Sequence, residues 1–110
     1  MDDHVSFRRA AAALLQAFGA EIVGEAEDGD GAVRAAAALS PDVVLLDVGL
    51  PDSDGFAVAA RIVAADPARA VVLTSTRDSS DYGGLVAGSA ARGFITKSEL
   101  SGPALAAVLG

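Results

Sequence analysis

The stretch VVLLDVGLPDSDG, Val43 to Gly55, runs four apolar residues into an aspartate and then breaks into a loop of Gly, Pro, Asp and Ser. An unbroken apolar run of this kind suits a central parallel strand covered on both faces. The residues after it are those that end a strand and open a turn. Asp47 therefore stands at the mouth of the most buried strand.

Short apolar strands alternate with helical stretches on either side of it, a pattern that implies crossover connections and a parallel sheet. SFRRAAAALLQAF (6–18) reads as a first helix with Ser6 as its N-cap and a stop at Gly19. AEIVGEA (20–26) reads as a strand, EDGDG (27–31) as its turn, and GAVRAAAALS (31–40) as a helix closed at Ser40-Pro41. After the central strand come helix 55–66, strand AVVLTS (70–75), helix SDYGGLVAGSA (80–90), strand GFIT (93–96) and helix ELSGPALAAVL (99–109). Gly83, Gly84 and Gly88 weaken the fourth of these helices, each costing about 1 kcal/mol relative to Ala, and make it the mobile one.

The chain has 110 residues, 52% of them hydrophobic, which is enough for one core and too few for two. A formal charge of -7 repels phosphate backbones and anionic bilayers, so nucleic acid and membrane are not expected partners of this chain alone. No run of 18 apolar residues is present and MDDHVSFRR is charged from the start, which argues against a spanning helix or a signal peptide and for a cytoplasmic location. Without cysteine there is neither disulfide nor thiolate chemistry.

In an open parallel sheet, ligands bind at the carboxyl ends of the strands. The residues there are Glu25 to Glu27, Asp47, Thr74 to Thr76, and Thr96 with Lys97. Ser75 and Lys97 follow Asp47 by 28 and 50 residues. A carboxylate can attack phosphorus and form an aspartyl phosphate. The charge this gathers calls for an ammonium, hydroxyl or N-H donors, and a divalent cation. Magnesium takes oxygen ligands and retains several waters, which Asp47 and the acidic pair Asp2-Asp3 suit.

These residues resemble a response regulator receiver domain, the CheY-like phosphoacceptor module of two-component signalling. The resemblance runs from Asp2 to Leu109 and rests on the acidic pair DD, LLDVGLPDSDG, VVLTS and GFITK, in that order. It implies a CheY-like (flavodoxin-like) α/β fold, a parallel sheet with helices on both faces, and a receiver over residues 1–110. By resemblance, Asp47 is the phosphorylated aspartate; Asp2, Asp3, Asp47 and the carbonyl of Gly49 hold Mg2+; and Lys97 pairs with the phosphoryl group. Ser75, 22 residues before Lys97, matches the switch hydroxyl in preference to Thr74, although a one-residue slip would move the side chain to the other face. Phe94 matches the aromatic that swings inward on activation, or is an ordinary core residue. Ser98 in place of proline, as in the NarL branch, makes a cis bond after Lys97 less expected.

The implied donors are a histidine kinase or a small acyl phosphate. The output is implied to reach a downstream protein through the face of the fourth helix, fifth strand and fifth helix. The module accepts phosphate and is not a turnover enzyme. A phosphatase of the haloacid dehalogenase type would want a second aspartate where Gly49 stands. A pseudo-receiver, an interaction module that is not phosphorylated, is the alternative. His4 reads as a solvated side chain, Arg8 and Arg9 as a solvated helix face.

The family's first strand, about six apolar residues ending at the acidic pair, is absent, because Met1 directly precedes Asp2. Burying about five such side chains would contribute on the order of 8 to 15 kcal/mol, comparable to a whole domain's stability of about 5 to 15 kcal/mol. Two chains sharing or exchanging elements, or a sheet closed up with the second strand beside the third, would compensate. A homodimer is expected, since an open slot exposes unpaired strand edges.

Overall fold

The computed structural model describes residues 1–2, 4–49 and 54–109. Its sheet has three parallel strands in the order β1-β2-β3: β1 Val43–Asp47, β2 Ala70–Ser75 and β3 Gly93–Thr96. Four α-helices accompany them: α1 Val5–Ala17, α2 Gly29–Leu39, α3 Gly55–Ala65 and α4 Gly102–Leu109.

The ladder pairs Val44 with Val71 and Leu46 with Leu73, so these four side chains share one face. There they bury themselves with Val58, Ala59 and Ile62 of α3 and Ala32 and Ala36 of α2. The alternate residues Val43, Leu45 and Thr74 face the other way, toward α1 and α4. Alanine at 32, 36 and 59 lets α2 and α3 come close to the strands, which accounts for part of the chain's excess of that residue.

Capping sets two helix starts. Asp28 accepts from the Gly31 amide at 2.7 Å, so EDGDG is the N-terminus of α2 more than a free turn. Asp54 accepts from the Ala57 amide at 2.7 Å and starts α3 beside the sheet's carboxyl edge. Gly55 has to be glycine, because a Cβ there would lie 2.6 Å from the carbonyl oxygen of Asp47. Ser6 does not cap α1: the N-cap is His4, without a side-chain cap bond, and Ser6 falls inside the first turn.

Two expected elements differ. Residues 80–90 do not form an α-helix. A 3-10 segment, Ser79–Leu85, stands there instead, broken at Gly83 (φ 58°, ψ -130°), because glycines without helical preference cannot hold the longer ladder. Residues 20–26 form no strand, although their sequence suits one.

The reason lies on the outer flank of β1. The Met1 ammonium donates to the Leu45 carbonyl at 2.6 Å and the Asp47 amide donates to the Met1 carbonyl at 3.0 Å, so Met1 lies parallel to β1 opposite Leu46. On its other side the Asp2 amide donates to the Ala26 carbonyl at 2.9 Å. Met1-Asp2 is thus a two-residue strip between β1 and residues 20–26. Before it, the two flanks stand apart around a cleft of about 600 Å³ lined by Leu15, Phe18, Val23, Leu39, Val44 and Leu105, among others. The sheet does not close up. Burial pushes the Met1 ammonium down to about 6.

Candidate functional site at the carboxyl edge of the sheet

Asp47 ends β1 and is 6% exposed. The strip that stops at Asp2 brings a second carboxylate, 2% exposed, to the same edge. Lys97, the first residue after β3, reaches both: its Nζ is 2.5 Å from Asp2 Oδ2 and 3.6 Å from Asp47 Oδ2. The ammonium also lies over the Phe7 ring, 4.4 Å from its centroid. The parallel register makes this convergence, since β1 and β3 each release a functional residue at the same end of β2.

Burial pushes the Asp2 carboxyl up, but the Lys97 ammonium and the His4 donors outweigh it and hold the group below its ordinary value. The His4 amide donates to Asp2 Oδ1 at 2.8 Å, and His4 Nδ1 lies 3.0 Å from the same oxygen. His4, read from sequence as a solvated side chain, is a neighbour of the site. Only the fold brings its ring back to the residue two before it. The Gly49 amide donates to Asp47 Oδ1 at 3.2 Å, so this residue serves the carboxylate through its N-H.

The two candidate switch hydroxyls, Ser75 and Thr74, lie on opposite faces of β2. The ladder pairs Asp47 with Thr74, and Thr74 faces the cleft on the Asp47 side of the sheet, 1% exposed. Ser75 is one residue further, so strand alternation turns it to the α3 face. There its Oγ lies 2.5 Å from the Tyr82 hydroxyl and accepts from the Arg77 amide at 3.1 Å. The 22-residue distance to Lys97 is that of Ser75, while the ladder sets Thr74 on the face of Asp47. Phe94 pairs with Leu73, is half-buried on the α3 face, and packs against the Tyr82 ring at 5.9 Å. No cis peptide occurs among the described residues. Asp3 and the loop residues Leu50 to Ser53 lie outside the described residues.

The donor set suits a hard divalent cation. Ligand atoms of Asp2, Asp47 and His4 lie within 4.8 Å of one another, and two of the three residues are buried carboxylates facing a common point. Two ionised carboxylates side by side repel, and the Lys97 ammonium beside both offsets that repulsion.

Comparison with known proteins agrees with this architecture. The signal receiver domain of the response regulator NarL from Mycobacterium tuberculosis superposes with a TM-score of 0.81 at 34% identity, over 99% of this chain and 92% of that one. The transcriptional regulatory protein LiaR of Bacillus subtilis is 42% identical over 81 residues, 71% of this chain and 38% of its own length. A response regulator from Burkholderia pseudomallei, whose structure contains a phosphorylated aspartic acid and a calcium ion, shares the fold with a TM-score of 0.85 at 19% identity, over 99% of this chain and 63% of that one. This chain spans about half or less of the length of the curated relatives it matches. Residues 1–108 match the response regulator receiver domain, and the chain belongs to that family.

Proposed function

We propose that this receiver domain takes a phosphoryl group onto Asp47. The observation that carries the reading is the Lys97 ammonium held between the buried carboxylates of Asp2 and Asp47 at the strand ends. An oxygen of Asp47 attacks the phosphorus of a phosphohistidine or an acyl phosphate. The P–N or P–O bond breaks, and its electron pair leaves on the imidazole nitrogen or the carboxylate oxygen. Lys97 is placed to neutralise the phosphoryl oxygens, and its tie to Asp2 keeps it there before the donor arrives. Thr74 would donate its hydroxyl to one oxygen and the Gly49 amide to another.

Asp2 and Asp47 would hold a divalent cation, for which Mg2+ is the fitting hard ion, with Asp3 next to Asp2 in sequence; bound there it would neutralise charge gathered on the transferring group. The phosphoryl group adds about -1.5 to -2 charges and three acceptor oxygens, enough to draw Lys97 and the β2 end inward. A histidine kinase is the proposed donor in a cytoplasmic setting. The proposed output surface is the side formed by residues 79–90, β3 and α4, read by a downstream protein. The open flank of β1, with Phe18, Val23 and Leu39 exposed around it, supports pairing with a second copy; static light scattering that returns only the monomer mass overturns that part.

Intact mass after incubation with acetyl phosphate and Mg2+ tests the central reading. One phosphoryl adduct is expected on the parent and none on Asp47→Asn. Absence of an adduct on the parent favours the pseudo-receiver, an interaction module with an unused site.

A further inference from the structure

His4 occupies the N-cap position of α1, where Ser, Thr, Asp or Asn would supply a capping oxygen. Its ring makes no cap bond. It turns instead to the carboxyl edge of the sheet, where Nδ1 lies 3.0 Å from Asp2 Oδ1. The backbone fixes that placement, because the His4 amide donates to the same oxygen at 2.8 Å. Two atoms of one residue thus meet one carboxylate oxygen, and the ring is held in place before any ligand arrives.

The two carboxylates divide their oxygens. Asp2 and Asp47 both turn Oδ2 to the Lys97 ammonium, at 2.5 and 3.6 Å. Their Oδ1 atoms instead meet the amides of His4 and Gly49. Oδ1 of Asp2 has two lone pairs; the His4 amide takes one, and the other serves Nδ1 or an ion shared with it. Neighbouring donors on an octahedral ion with bonds of about 2.1 Å stand about 3.0 Å apart, which is the separation of Nδ1 and Oδ1. One donor atom from each of Asp2, His4 and Asp47 lies within 4.8 Å of the other two.

The donor types decide which ion such a set prefers. Carboxylate and water oxygens suit Mg2+, Ca2+ and Mn2+, whereas imidazole suits Fe2+, Ni2+, Cu2+ and Zn2+. Coordination uses the lone pair of Nδ1, so the neutral ring then carries its proton on Nε2.

We propose that His4 is a metal ligand, adding an imidazole nitrogen to the oxygens of Asp2 and Asp47 and tilting the site from Mg2+ toward a first-row transition dication. This rests on the reading above that the two carboxylates hold a divalent cation, and it names the residue that sets which ion they prefer. His4 leaves Lys97 its own oxygens, so the ammonium and the ion have separate places at the same pair of carboxylates.

The chain contains one histidine, so an imidazole found on a metal bound to the untagged chain is that of His4. Co2+ and Mg2+ are titrated calorimetrically into the untagged full chain, His4→Ala, His4→Ser and Asp47→Asn, and X-ray absorption at the cobalt edge reads the ligands of the bound ion. The parent should bind one Co2+, more tightly than Mg2+, with the outer-shell scattering of one imidazole. His4→Ala should lose that scattering and narrow the ratio of Co2+ to Mg2+ affinity at least about tenfold. His4→Ser, which can cap α1, should narrow it equally without weakening the helix start. Asp47→Asn should weaken both ions.

Co2+ bound to the parent in an all-oxygen shell, or an unchanged affinity ratio in His4→Ala and His4→Ser, overturns the proposal and leaves the carboxylate cation site standing. Co2+ held equally well by the parent and Asp47→Asn places the ion away from the carboxylate pair and also overturns it. Neither ion bound by the parent removes the cation reading, and the role of His4 with it, so the two failures are distinguishable.

Discussion

The two flanks of β1 share one strand and differ in almost everything else. Toward β2, five residue pairs run in register from Val43↔Ala70 to Asp47↔Thr74, and the side chains on the α3 face are fully buried. Toward residues 20–26, the described partner is the strip Met1-Asp2, with an apolar cleft before it. The paired flank supplies rigidity. On the open flank, Met1 lies opposite Leu46 and carries Asp2 to Lys97.

This contrast can be broken by substitution, beginning with the pair that spans it. Lys97→Met leaves the Asp2 carboxylate buried without its cation and should destabilise the chain by about 3 to 5 kcal/mol; Asp2→Asn in the same chain should recover a large part of that. Urea unfolding of the two single variants and the double variant measures it. A double variant no more stable than Lys97→Met would mean that the pair does not join the flanks.

The flanks themselves come next. Leu46→Ala, at a fully buried position of β1, should cost about 2 to 5 kcal/mol. Val23→Ala, 47% exposed beside the cleft, should stay within about 0.5 kcal/mol. Similar losses at both positions would mean that the cleft is packed in solution.

A smaller effect follows from pH. The Asp2 carboxyl lies below its ordinary 3.8 in the folded chain, so its contribution is complete above that value and is lost as pH falls through the lowered folded pKa. Acid titration of the melting temperature should therefore steepen below about pH 4 in the parent and be shallower in Asp2→Asn. An identical acid limb would remove the Asp2–Lys97 pair as a stabilising contact.

The smallest difference is local. Amide exchange should be slower at Val43–Asp47 than at residues 20–26, because only the former are laddered along their whole length. Equal protection would make 20–26 a strand in solution and would close the cleft.

What was legible in the sequence follows the same division. β1, β2, β3 and α3 could be read because their apolar runs are bounded by polar or turn residues and pack against one another. The segment 20–26 has a strand's composition, yet a strand is a pairing, and composition does not show what a segment pairs with. Asp47 and Lys97 were readable as strand ends, and Asp2 from the acidic pair DD. The side of the sheet taken by Ser75 was not, since counting to Lys97 crosses a loop while ladder parity is fixed by β1. Tyr82 and His4 carried no signal at all: one meets Ser75 through a 3-10 segment, the other turns back on Asp2, and both contacts exist only in three dimensions.

The most direct test of the central claim is where the phosphoryl group sits. Borohydride reduces an aspartyl phosphate to homoserine, which tandem mass spectrometry locates. After acetyl phosphate and Mg2+, homoserine is expected at position 47 alone, in the parent and not in Asp47→Asn. Homoserine at another carboxylate, or none in a chain that carries an adduct, would contradict the assignment of Asp47 as the phosphoacceptor.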